Sequence, residues 1–299
     1  MKKTHVGLIG YGEVGKVFCA GLKSKSGIES VSAWDLKFAD AVAHQADQNH
    51  ARQAGVKVCT DMQSLCQQAD WLISAVTASH TLEVASEAAK HLQPGTLFLD
   101  LNSASPGTKQ QAAKLIEAAG GFYVEAGVMT SVPPYGIKVP MLLGGKQAEN
   151  LAQRLRGFEM DATCVSAEIG IASAIKMCRS VMIKGLESLV IESYTTARAY
   201  GVEGHVLPTL VETFPSIDWS QQGAYFFSRV VQHGKRRAEE MREAANTVKE
   251  AGFEPFMSAA IANKQQWVAD QAAAGVFADL EKSANWQAYA DRLLKNSTD

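Results

Sequence analysis

Over its first half the chain alternates short apolar, β-type runs with longer segments whose apolar residues recur at helical spacing. The runs at 5–9, 30–34, 56–59, 71–76, 97–101, 122–126, 141–144 and 162–165 are predicted strands, and 14–25, 39–52, 62–68, 81–91, a segment starting near 106, and 147–158 are predicted helices. From 171 to 200 neither proline nor strand pattern intervenes, only Gly185, so one helix far longer than the mean of about eleven residues is expected. Beyond it every segment has helical period: 206–212, 223–232, 235–250, 256–274 and 284–295, with Met241, Ala244, Ala245 and Val248 as an apolar stripe. The expectation is an α/β Rossmann-type N-terminal domain over 1–167 and an all-α C-terminal domain over 168–299, joined by a long interdomain helix. Lys176, early in that helix, would face the cleft between the domains.

The first strand runs into Gly10-Tyr11-Gly12-Glu13-Val14-Gly15 and then a helix, the arrangement that binds a dinucleotide. The first glycine permits the tight turn, the second lets a pyrophosphate approach the backbone, and the third lets helix pack on strand, with the helix N-terminus facing the phosphates. About twenty residues on, the second strand ends at Asp35, where a carboxylate accepts from ribose hydroxyls and repels a 2'-phosphate, favouring NAD over NADP. Lys37 and Lys57 keep NADP open, and a plain turn role for Asp35 is the simpler alternative.

Two further stretches fall at the C-terminal ends of strands, where open α/β sheets bind ligands. One is Val76-Thr77-Ala78. The other, Asp100 to Pro106, carries Asn102, a candidate cofactor contact, and Ser103 and Ser105, whose hydroxyls, with the free amides ahead of the next helix, suit a substrate carboxylate or phosphate. Ser105 also fits as a helix N-cap with Pro106 at the first helical position. A third loop, with Met129, Thr130 and Ser131, follows the sixth strand.

Composition narrows the function classes. In 299 residues the formal net charge is -2, and no basic run exceeds Lys235-Arg236-Arg237, which argues against nucleic acid as a partner. The 5 cysteines include no CxxC and the 7 histidines no metal spacing, so neither a disulfide framework nor a metal site is expected. No apolar run is long enough to span a bilayer, and the N-terminus enters a strand at once; a cytoplasmic location is expected.

Taken together, these motifs resemble the β-hydroxyacid dehydrogenases, the family of 3-hydroxyisobutyrate dehydrogenase and, more distantly, 6-phosphogluconate dehydrogenase. The resemblance covers essentially the whole chain. It rests on Gly10, Gly12 and Gly15, on the loop from Asp100 to Pro106, on the loop from Glu125 to Ser131, and on Gly170, Ala172 and Lys176, which are similar to the family's Gly-x-Gly-x-x-x-Lys motif. It implies an NAD(P)-dependent oxidoreductase that oxidises a 3-hydroxy acid, or reduces the matching semialdehyde, with Lys176 as general base or acid. A lysine must be neutral to take the hydroxyl proton, and desolvation beside a positive nicotinamide favours that form.

The departures concern the substrate. Met129-Thr130-Ser131 stands where the family commonly has Ser-Gly-Gly, and Arg179-Ser180 replaces an Asn pair. Arg179, one turn from Lys176, suits a substrate carboxylate or, equally, an interdomain ion pair. Glu239-Glu240 aligns with a Lys-Asp pair of many members. Imine reductases resemble this architecture but usually lack the lysine, and a non-catalytic NAD-binding scaffold is the rival from another class. The small-molecule partner is expected to be a hydroxy acid, and a homodimer is expected from the long helix.

Overall fold

The structure is a computed structural model that describes residues 3–39 and 45–296. It divides into two compact units, 1–177 and 178–299. The division falls within the long helix rather than ahead of it at 167/168, because the first turns of that helix pack on the sheet of the first unit.

In the first unit, chain order runs β1 (Thr4–Ile9), α1 (Glu13–Lys23), β2 (Ile28–Trp34), a 3-10 turn at Leu36–Ala39, and α2 (Gln45–Gln53). It continues with β3 (Lys57–Val58), α3 (Met62–Cys66), β4 (Trp71–Ser74), α4 (Thr81–Ala89), β5 (Leu97–Asp100) and α5 (Pro106–Ala118). β6 (Phe122–Val128), β7 (Met141–Gly144), α6 (Ala148–Gly157), β8 (Ala162–Ser166) and the start of α7 (Ile171–Tyr200) complete it. Part of the helix expected over 39–52, at 40–44, lies outside the described residues.

The strands form one sheet in the order β3-β2-β1-β4-β5-β6-β7-β8. All pairs are parallel except β6 with β7. The parallel part is covered on both faces, so its central strands read as continuous apolar runs instead of alternating ones. Neighbouring residues then enter opposite cores. Trp71, Ile73, Leu99 and Val124 pack on one side, and Leu72, Phe98 and Tyr123 on the other, with the Phe98 and Tyr123 rings stacked 5.8 Å apart.

The second unit contains the rest of α7 with α8 (Glu203–Thr213), α9 (Trp219–Glu250), α10 (Phe256–Ala273) and α11 (Trp286–Asn296). Its core gathers Ile191, Tyr194, Phe227, Val268, Trp286 and Tyr289. Trp219 and Phe227 belong to that core, whereas Tyr225 is exposed. Two helices expected over 223–232 and 235–250 are one. Gly234, which lies between the two ranges, is buried where α10 crosses; a Cβ there would lie 2.8 Å from the Gln265 carbonyl oxygen. The glycine serves close helix packing, and without a proline the backbone ladder continues.

Candidate active site

The site is built at the C-terminal ends of β1, β4, β5 and β6, all within the first unit. At the end of β1 the chain must turn sharply into α1. Gly10 does so at φ +98, where a side chain would be strained and its Cβ would meet the Ala75 carbonyl oxygen at 2.4 Å. A Cβ on Gly15 would lie 2.0 Å from the Gly10 oxygen, so helix and strand touch through it. Gly12, the N-cap of α1, has open space where its Cβ would be, and no side chain caps the helix. Free backbone amides beside an open surface suit a pyrophosphate.

Asp35 braces this turn. One carboxylate oxygen accepts from the Tyr11 amide at 2.7 Å and the other from Lys37 N at 2.9 Å, leaving a lone pair on each oxygen for ribose hydroxyls. The Tyr11 side chain is buried, against Phe38 and His50. Burial pushes its phenol up to about 12, and it stays protonated beside His50 Nδ1 at 3.1 Å. Glu13 is exposed and Val14 half-buried at the start of α1. These residues fit a dinucleotide. Among the described residues no group of three or more His, Cys, Asp or Glu side chains could hold a metal ion.

The loops after β4 and β5 are tied together by Asn102. Its amide oxygen accepts from Val76 N at 2.7 Å, and its amide nitrogen donates to Ser74 Oγ at 2.9 Å. Thr77 is exposed and pairs with His80 Nδ1 at 2.8 Å. Ser105 is buried and caps α5, accepting from Thr108 N at 3.3 Å. Between these two struts Ser103 remains half-buried, and Lys176 Nζ donates to its Oγ at 2.5 Å. A hydroxyl accepts from a charged lysine and donates to a neutral one, so the pair persists in either protonation state.

Lys176 is itself half-buried. Of its apolar neighbours, Met177 is buried but Ile175 and Cys178 are exposed. Arg179 is exposed on the next turn of α7, in the second unit. Met129 is half-buried, its amide bonded to the Pro140 carbonyl at 2.9 Å; Thr130 is exposed and Ser131 half-buried. The structure thus brings Lys176 and Ser103 together, with the fingerprint on the same sheet edge, and gives Asn102 and Ser105 supporting roles in the loop.

Sequence reasoning missed what lies beneath. Ser74, Asp100, Glu125 and Gly144 are register partners across β4, β5, β6 and β7, and the three side chains are fully buried. Asp100 accepts from Lys109 Nζ at 2.9 Å, Tyr123 Oη at 2.6 Å and the Asn102 amide at 2.9 Å. Burial, reinforced by the Asp100 charge, holds the Tyr123 phenol well above the ordinary tyrosine range, so it acts as a donor. Glu125 accepts from the Gly170 and Ala172 amides at 2.7 and 3.1 Å, and from Ser173 Oγ. Two residues along β6, Gly127 lets α7 approach: a Cβ there would lie 2.9 Å from the Ala172 oxygen and 3.4 Å from Lys176 Cβ. A polar pair at adjacent strand ends is the only sequence trace of this row, and without the register it has no meaning.

Comparison with known proteins bears on this geometry. Residues 5–165 match the NAD binding domain of 6-phosphogluconate dehydrogenase. The chain belongs to this family. It is a divergent β-hydroxyacid dehydrogenase relative with an NAD(P)-binding domain, and residues 197–268 match a domain of unknown function, DUF1932. A conserved hypothetical protein from Sinorhizobium meliloti is 37% identical and superposes with a TM-score of 0.77 over 99% of this chain and 97% of its own. A conserved protein described as structurally similar to 3-hydroxyacid dehydrogenases is 29% identical, with a TM-score of 0.66 over 90% and 99% of the two chains. The mitochondrial 3-hydroxyisobutyrate dehydrogenase of Homo sapiens is 26% identical over 187 residues, 60% of this chain and 53% of the human one, so the match spans about half of that enzyme. No helix among the described residues is long and apolar enough to cross a membrane.

Proposed function

We propose that this family member is an NAD(P)-dependent dehydrogenase of 3-hydroxy acids, with Lys176 as general base in oxidation and general acid in reduction. The observation that carries the reading is the Lys176–Ser103 contact of 2.5 Å on the sheet edge that also bears the dinucleotide turn. The bound nicotinamide cofactor would accept hydride from the substrate carbinol carbon. Everything else falls to the chain. Lys176 Nζ takes the proton leaving the 3-hydroxyl, and Ser103 Oγ keeps the amine aimed by accepting from it when charged and donating to it when neutral. Met129, Thr130, Ser131 and Arg179 are the residues we assign to the rest of the substrate, Arg179 for its carboxylate. Because those positions depart from the family pattern, the acid is expected to differ from 3-hydroxyisobutyrate.

For the cofactor we propose NAD over NADP, on the carboxylate of Asp35, since a 2'-phosphate beside it meets like charge. The test is cofactor reduction by a panel of 3-hydroxy acids with anionic, amino and aryl substituents, run with NAD and with NADP. Turnover of at least one acid, faster with NAD, is expected. Tight cofactor binding with no turnover of any acid would instead favour a non-catalytic scaffold.

A further inference from the structure

Glu125 lies directly under the first turn of α7, and its surroundings are shaped to keep it there. Its partner across β6–β7 is Gly144, where a Cβ would lie 2.6 Å from Glu125 Oε1. Any larger residue at 144 would push the carboxylate aside. Three donors converge on Glu125: the two backbone amides on Oε1 and the Ser173 hydroxyl on Oε2. The amides are among those that a helix N-terminus leaves without an internal partner, and a negative group there is favoured by the helix dipole. Ser173 precedes Lys176 by three residues, one helical turn. On the same strand, Gly127 abuts Lys176 Cβ. β6 therefore touches the lysine's helix at two successive points on one strand face, one polar and one steric.

We propose that Glu125 is a positioning residue for Lys176: by holding the first turn of α7 on β6 it sets the distance between the lysine amine and Ser103. The neighbouring strand supplies the other half, since Asp100, its register partner on β5, holds the Asn102 amide at the start of the Ser103 loop. The two partners of the active site are thus mounted on two adjacent buried carboxylates. This inference rests on the reading of Lys176 as the general base.

The test compares Glu125→Leu, which removes both acceptor oxygens and so all three hydrogen bonds, with Glu125→Gln, which keeps an oxygen for the two amides. In Glu125→Leu, kcat per folded molecule is expected to fall about 100-fold, the effect of displacing a reacting group by an ångström or so. The hydroxy-acid KM and the cofactor Kd should stay within about threefold, and Glu125→Gln should recover most of the loss. Hydrogen exchange at Gly170 and Ala172 should accelerate in Glu125→Leu only. Wild-type kcat in folded Glu125→Leu, or a loss confined to KM, overturns the proposal. Should that variant not fold, Ser173→Ala decides: a severalfold fall in kcat at unchanged KM supports it, and unchanged kcat overturns it. If the wild-type protein oxidises no hydroxy acid, the function proposed above fails separately. Positioning is then read from the rate at which an acylating reagent modifies Lys176, faster than wild type in Ser173→Ala if the helix turn is released, and unchanged if Glu125 holds nothing.

Discussion

Asp100 and Glu125 in the first unit, and Glu187 and Glu240 in the second, are four acidic side chains largely withdrawn from water, and their partners differ in kind. Asp100 and Glu125 both accept from backbone amides of segments that carry the site, with Lys109, Tyr123 and Ser173 completing their shells. Glu187 pairs with Arg237 and accepts from Gln265 Nε2 at 3.2 Å, while Glu240 pairs with Lys184 at 3.0 Å. Those are side-chain links between helices. In the second unit Arg237 Nε, Gln265 Oε1 and Ser188 Oγ have no hydrogen-bond partner among the described residues. A charge bonded to backbone fixes where a loop or helix end sits; a charge bonded to another side chain mainly chooses which helices pack together. The first arrangement is expected to control turnover, and the second, stability.

The largest effect should come from Arg237→Ala. It leaves the Glu187 carboxylate buried without its cation and should cost about 3–5 kcal/mol in chemical denaturation, with kcat per folded molecule unchanged. If turnover collapses while stability holds, the contrast between the units is wrong. Tyr123→Phe removes one donor to Asp100 and should cost about 1.5–3 kcal/mol. Unlike the Arg237 change, it should also lower kcat, through the loop that carries Ser103. The smallest effect is expected from Gln265→Leu, which removes an unpartnered oxygen along with a weak donor; stability should stay within about 1 kcal/mol, again with kcat unchanged.

These contrasts also show what could be read from the sequence. The alternation of strands and helices, the thirty-residue α7 and the glycine turn were legible because each has a local period or spacing. Lys176 was singled out as the catalytic base only through the resemblance of Gly170, Ala172 and Lys176 to the family's Gly-x-Gly-x-x-x-Lys motif. The antiparallel β7 was not legible, since pairing direction leaves no mark on a four-residue apolar run such as Met141–Gly144. Nor was the role of Glu125, whose bonds span more than forty residues of sequence and depend on a register that no local pattern fixes. Gly127 and Gly234 are alike in this respect. Each reads locally as a weak point, and each is a contact whose other side lies far along the chain.

The central claim is that the Lys176 amine moves the substrate proton. It is tested most directly by comparing Lys176→Met with the wild-type protein on the hydroxy acid that turns over fastest, with cofactor affinity measured on the same samples. The account predicts a fall in kcat of about 10²- to 10⁴-fold, the usual contribution of a positioned acid or base, with the cofactor Kd within about twofold. Turnover of Lys176→Met close to that of the wild type, with the cofactor bound equally well, would contradict it.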